Sequence, residues 1–469
     1  VGNSTVIEHL TITGDDSNFS AISAISAVAK ITLNDLTIIG HNIDPFTFGG
    51  GVNLSGGAIE LILNDTLIIQ NSAFNGGGIY CDGSFSKIIM TGNSGVSHNS
   101  AQGAGGGVYV TNGCEFTLYS GTGVTDIGTN QGISDNQADA QGGGIYADNG
   151  AIVTLYGHEK CENNTCIGNN TDPVNVNNNR SDSDSSGGER GGGIYLTGIG
   201  TKVNVYAGLF SENISPNGGA IYVNDFASLL VERLSKECWD AVKCNYFFKN
   251  RALGAGTGGA LQNDQGFLKI SSAYFEENDG RTGSVLYAFG SNSHNTFEGS
   301  VFNHNNNQGN GDNYVIRAAS SSNVEISYST FADNYIANSS VFGITSDSTL
   351  VLYTSIVNEP EGDVLAANPG VTDIFCIMAH ELNSFTGSIR FLGDPLFVDR
   401  LMRDYHLSQI SPAIDACNNI HNATAIAKYK DIDFENRGID DLDKFNALGV
   451  YDIGADEVLV QLIFSNGFE

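Results

Sequence analysis

The stretch Gly76-Gly77-Gly78-Ile79-Tyr80 decides the fold, because it keeps coming back. It returns as Gly105 to Tyr109, Gly142 to Tyr146 and Gly191 to Tyr195. Variants follow as Gly218-Gly219-Ala220-Ile221-Tyr222, Gly258-Gly259-Ala260-Leu261 and Gly283-Ser284-Val285-Leu286-Tyr287, and Gly56-Gly57-Ala58-Ile59 reads as an earlier copy. The anchors Ile59, Ile79, Val108, Ile145, Ile194, Ile221, Leu261 and Leu286 are spaced by 20, 29, 37, 49, 27, 40 and 25 residues. Variable spacing around a constant block means one coil per repeat, with insertions in one turn.

A second block follows a polar turn such as Thr111-Asn112-Gly113 or Asp148-Asn149-Gly150. It alternates apolar and polar, as in Phe116-Thr117-Leu118, Val153-Thr154-Leu155 and Val203-Asn204-Val205. Period two is a strand with one buried face. A third block ends in Asn: Val96 to Asn99, Ile133 to Asn136, Phe210 to Asn213, Phe275 to Asn278, Phe302 to Asn305 and Phe331 to Asn334. The apolar residue points inward. The Asn tolerates a turn conformation, and its amide can bond the Asn of the next coil. Stacked identical amides stabilise in-register strands.

Three short strands and three turns per coil describe an all-β chain, a single-stranded right-handed parallel β-helix of about a dozen coils. Gly at 59 of 469 residues with only 7 Pro suits many turns joined by unbroken ladders. The pattern divides the chain into coils over 1–390, with turn insertions largest near 157–190. A C-terminal portion over 391–457 supplies final coils or a cap, and a strand and tail occupy 458–469.

The charge is one-sided: 21 Lys+Arg against 52 Asp+Glu, net −31. Such a surface repels phosphate backbones, so nucleic acid and anionic membranes are poor partners. It suits solubility, divalent cations or a saline exterior. The eight cysteines point to disulfides and an oxidising compartment. Cys161 with Cys166 and Cys238 with Cys244 are short-loop pairs, which leaves Cys81, Cys114, Cys376 and Cys417 over. No apolar run reaches membrane-spanning length. No signal peptide is visible; the expectation is that a secretion signal, and any upstream coils, were removed or lie outside this sequence.

The repeats resemble those of polymorphic outer-membrane proteins, bacterial surface β-helices associated with adhesion, over about Gly56 to Asn334. The C-terminal part resembles the choice-of-anchor Q domain of secreted bacterial β-helix proteins. The matching residues are Asp394 to Val398, Asp404-Tyr405-His406-Leu407, Ser411 to Ala416, Asp431-Ile432-Asp433 and Val450 to Glu457. Cys417 stands where that family usually has Gly, and a disulfide to Cys376 would explain it. The last residues, Ile463 to Glu469, resemble a tail of exported gammaproteobacterial proteins. The resemblance implies export and surface association, and no defined activity.

Motifs for catalysis are sparse. Parallel β-helices include polysaccharide lyases and hydrolases, so motifs for that chemistry are relevant. Asn170-Thr171-Asp172 matches one polygalacturonase-like element, but it lies in an insertion and its companions are missing. His380-Glu381 lacks the second His of a metalloprotease. Asp182-Ser183-Asp184-Ser185-Ser186-Gly187 begins like a calcium loop, yet its twelfth position is Gly193. A looser Ca²⁺ site would use Asp182, Asp184 and Glu189. If the aliphatic anchors point in, Tyr80, Tyr109, Tyr146, Tyr195, Tyr222 and Tyr287 point out along one face, with Gln262 interrupting. Such a row is either a platform for sugar rings or protein, or a ladder that stabilises the sheet.

The sequence therefore reads as a secreted or cell-surface scaffold without catalysis or cofactor, acting in adhesion or as an extracellular structural element. The alternatives are a filament subunit that assembles head to tail, and a polysaccharide lyase or glycoside hydrolase. Its partners are itself, end to end, or a surface glycan or protein.

Overall fold

A computed structural model of the chain describes residues 4–14, 19–43, 46–120, 131–157, 160–162, 165–167, 173–182, 188–233, 245–306, 314–336, 339–366, 370–381, 388–418, 430–444 and 446–458. The chain is a parallel β-helix. Thirty-four strands join in one sheet that wraps around the core, and a six-stranded sheet follows one corner. The only helical element among the described residues is a 3-10 turn at Arg400–Met402.

Three inward columns carry the fold. On the first face the Cα partners run from Ile22 through Val52, Ile79, Val108, Ile145, Ile194, Ile221, Leu261, Leu286, Ile316 and Phe342 to Leu365. On the second they run from Ile7 and Leu33 through Leu118, Leu155 and Val231 to Leu352 and Ile374. The third includes Ile68, Val96, Ile133 and Val176, then Phe210, Phe247, Phe275, Phe302 and Phe331. Those five Phe rings lie 4.2 to 4.8 Å apart, with interplanar angles of 2° to 13°. Nearly all of these side chains are fully buried. Each column buries apolar area coil after coil, at about 25 cal/mol per Å².

The Gly block has a separate reason at each position. Gly76 sits at φ 63°, in the left-handed region. A Cβ on Gly77 would come 2.2 Å from the Ser100 carbonyl of the next coil, and one on Gly78 would meet Val96 Cγ1 at 2.7 Å and the Asn99 amide at 3.0 Å. The copy that precedes it in register is Gly49-Gly50-Gly51-Val52, because Val52 pairs with Ile79. Ile59 is therefore not an anchor of this face: it pairs with Ala29 on the continuing strand Val52–Asn64.

The Asn-ending block is also corrected in one respect. The left-handed residue is the one before each Asn: Gln70, His98, Asp135, Asn178, Glu212, Lys249, Glu277, His304 and Asp333, at φ 49° to 58°. The Asn itself turns inward. Asn71, Asn99, Asn136, Asn179, Asn213, Asn250, Asn278, Asn305 and Asn334 form one buried ladder, with Nδ2 to Oδ1 distances of 2.9 to 3.1 Å. Each Oδ1 also accepts the backbone amide of the preceding Asn. Each Nδ2 also donates to a carbonyl of the preceding coil, as Asn213 does to Val176 at 2.8 Å. All four hydrogen-bonding positions of the interior amides are satisfied, which a buried Asn requires.

The described residues after about 394 do not continue the ladders. They lie along the flank of the later coils, where Tyr405, Ile432 and Ala455 pack on Val301 and Ala332. A disulfide joins Cys376 to Cys417 and another joins Cys81 to Cys114. Cys161 and Cys166 are backbone partners in the antiparallel pair Lys160–Glu162 with Thr165–Ile167; Cys238, Cys244 and residues 459–469 lie outside the described residues.

Candidate functional site

Three surface features are built on this frame. The first is the aromatic row. Phe48, Tyr80, Tyr109, Tyr146, Tyr195 and Tyr222 stack in sequence with centroids 4.5 to 5.5 Å apart. Each inner ring has a neighbour on both faces, so mainly ring edges remain for a partner. Tyr80, Tyr195 and Tyr222 are only 8%, 6% and 1% exposed, and Arg190 lies 4.9 Å over the Tyr222 ring. Burial pushes the Tyr80 hydroxyl up to about 12, helped by Asp82 and Asp148. Tyr287 stands apart from this stack, beside Gln262 and Arg317 and 6.2 Å from Phe289.

The second feature is a charged groove of about 370 Å³, which Glu212, Lys249, Arg251, Glu277 and Asp279 help to line. Glu212, Lys249 and Glu277 are consecutive members of the left-handed corner column, so the turn conformation itself aims them outward. Lys249 is 3.6 Å from Glu277. The groove is zwitterionic and suits polar ligands of either sign.

The third feature is where the C-terminal residues meet the flank. Arg400 binds Asp333 through Nε and Nη2, at 2.6 to 2.9 Å. Arg403 bridges Glu276 and Glu277, and the Tyr405 hydroxyl donates to Asp333 at 3.0 Å. Arg233 donates to the Ile432 carbonyl at 2.6 Å. Between the two parts lies a cleft of about 340 Å³, lined in part by Tyr274, Val301, Tyr405, His406, Asp433 and Asp456. There His406 is held at both nitrogens, by Asp404 at 2.5 Å and Asp433 at 2.6 Å. Its pKa rises to about 10, first through the Asp433 hydrogen bond, against burial and with help from Asp456 and Asp404. Behind the cleft the buried carboxylates of Asp452 and Glu457 are both raised, chiefly by burial. Their oxygens accept backbone amides of Asp415, Val458, Gly438, Ile439 and Asp452.

Two further placements complete the site map. Asp182 is buried and Glu189 half-buried, while Asp184 and Asn170-Thr171-Asp172 lie outside the described residues. His380 has a structural role: Nδ1 accepts the Glu359 amide at 3.1 Å, and Nε2 lies 2.9 Å from the Gly362 carbonyl. Sequence reading missed Asn71, Asn179 and Asn250, although Ile68, Val176 and Phe247 stand three residues before them, the spacing seen in the other copies. It also missed the His406 cluster, whose only local signal is Asp404-Tyr405-His406.

The chain matches no protein-family model, no curated protein and no solved structure.

Proposed function

We propose that the protein is an exported, non-catalytic β-helix scaffold that works in adhesion or as an extracellular structural element. One observation carries the reading. The repeated aromatic and amide side chains, which could otherwise recognise a ligand, are largely occupied by the neighbouring coil. The carboxylates near the flank are likewise engaged by Arg400 and Arg403. Such an arrangement favours rigidity over turnover. Export is supported by two disulfides and by the acidic surface. No helix among the described residues is long and apolar enough to cross a membrane. The likeness of the Gly and Asn blocks to polymorphic outer-membrane repeats, and of the C-terminal motifs to the choice-of-anchor Q domain, fits the same role.

The groove at Lys249 and Arg251 is the surface we assign to contact with a glycan or protein. The test is incubation of the purified chain with neutral and acidic polysaccharides. Retention on a polysaccharide that the Lys249→Ala, Arg251→Ala double variant loses, without new reducing ends or unsaturated sugars, is the expected result. Release of either product would replace this reading with a polysaccharide lyase or hydrolase. Negative-stain images of end-to-end fibres would replace it with a filament subunit.

A further inference from the structure

The cleft between the solenoid flank and the C-terminal residues gathers metal-ligating atoms that the scaffold reading leaves without a role. We propose that His406, Asp433 and Asp456 bind one divalent cation of the Zn²⁺ class, with Asp404 holding the imidazole from behind. One ligand atom from each of the three lies within 4.8 Å of the others. The donor set is one imidazole and two carboxylates, which suits a borderline ion such as Zn²⁺. Asp404 receives the second ring nitrogen at 2.5 Å, the carboxylate support that a metal-bound His commonly has.

Two buried carboxylates, Asp456 and Asp431, make the cleft strongly negative. Asp456 is 7% exposed and lines the cleft. Its Oδ2 accepts the Leu407 amide at 2.7 Å, and the His406 imidazolium acts on it electrostatically. Asp431 is fully buried. Its Oδ1 accepts the Asp433 and Glu435 amides, while Oδ2 has no partner. Its charge acts on Asp456 and on Tyr274, both at the cleft wall, so it adds to the same negative pocket. Buried carboxylates crowded together are costly to hold charged, and a cation is the chemistry that offsets their mutual repulsion.

The His406–Asp433 pair requires little movement. His406 Nε2 and Asp433 Oδ2 are 2.6 Å apart, a distance bridged by a proton. Two ligands of a tetrahedral Zn²⁺ sit roughly 3.3 Å apart, so opening the pair by under about an ångström admits the ion in place of that proton.

The experiment is calorimetric titration of zinc chloride into the full chain after dialysis against a chelator. One saturable equivalent is expected. Asp433→Asn and Asp456→Asn should each weaken binding at least about tenfold, and Asp404→Asn, which removes no ligand, by about 10- to 100-fold. The near-ultraviolet circular dichroism of each variant checks that it has folded. No saturable uptake by the folded wild-type chain would overturn the proposal. So would uptake that folded Asp433→Asn and Asp456→Asn variants keep at full affinity, since the ion would then sit elsewhere.

Discussion

The solenoid around Asn213 and the flanking residues around Arg403 are held in opposite ways. Asn213 meets Asn179 and Asn250, its own copies one coil away on either side. Arg403 meets Glu276 and Glu277, which are 127 and 126 residues earlier and have no copy elsewhere in the contact. A repeated contact spreads the load: every coil has the same neighbours, and stability approaches a sum of nearest-neighbour terms. A singular contact concentrates it, so one change can release the segment. The difference separates two kinds of order, one written as period and one as pairwise chemistry.

That contrast can be broken from either side. The largest effect should come from the flank's covalent tie. Cys376→Ser with Cys417→Ser opens a loop whose cysteines are 41 residues apart, worth about 4 kcal/mol in the chain-entropy account. Limited proteolysis should then cut after residue 394 while the coils survive, and loss of the coils in the same step would mean the two regions fold as one. A break in the middle of the ladder comes next. Asn213→Ala leaves the Asn179 amide groups without their acceptor, at about 3 kcal/mol by urea unfolding. An effect below about 1 kcal/mol would show that water replaces the amide there.

The ladder's end offers a pH-dependent test. Glu359 is buried, and burial raises its carboxyl well above the usual range, against the hydrogen bonds from Asn334. The folded state therefore keeps its proton at pH values where the unfolded chain has lost it. The contribution is fully present below the unfolded value and declines as pH rises toward the folded one. Glu359→Gln, whose amide oxygen can accept both Asn334 donors, should raise stability by about 1 kcal/mol above pH 7 and by less at pH 5. An equal gain at both pH values would remove the titration from the explanation. The smallest effect belongs to an exposed pair: Lys30→Ala, which removes the contact to Glu60, should cost under about 0.5 kcal/mol.

Legibility follows the same division. The Gly-Gly-Gly-Ile-Tyr blocks and the alternating second strands announce the coil because their spacing is a backbone requirement, as the Gly77 contact with Ser100 shows. Ile59 misled because it follows Gly-Gly-Ala on a strand that runs straight through a corner, whereas Val52 follows the true block. The Asn were visible as turn residues, but the inward orientation was not, since it depends on the residue before each one entering the left-handed region. His406 could not be joined to Asp433 and Asp456 from the sequence. Those partners are 27 and 50 residues away in irregular chain, where no period relates one position to another.

The Asn ladder also gives the rod a direction. Within the row, each Nδ2 donates to the Oδ1 of the later coil and each Oδ1 accepts from the earlier one. Nine amide dipoles thus point the same way along the axis, and aligned amides polarise one another. The donor end of the row meets the carboxyl group of Glu359, and the acceptor end meets a backbone amide, that of His41. The β-helix therefore carries an internal electric polarity like that of an α-helix, positive toward its later coils, with a hydrogen-bond-accepting carboxyl group seated where the row ends.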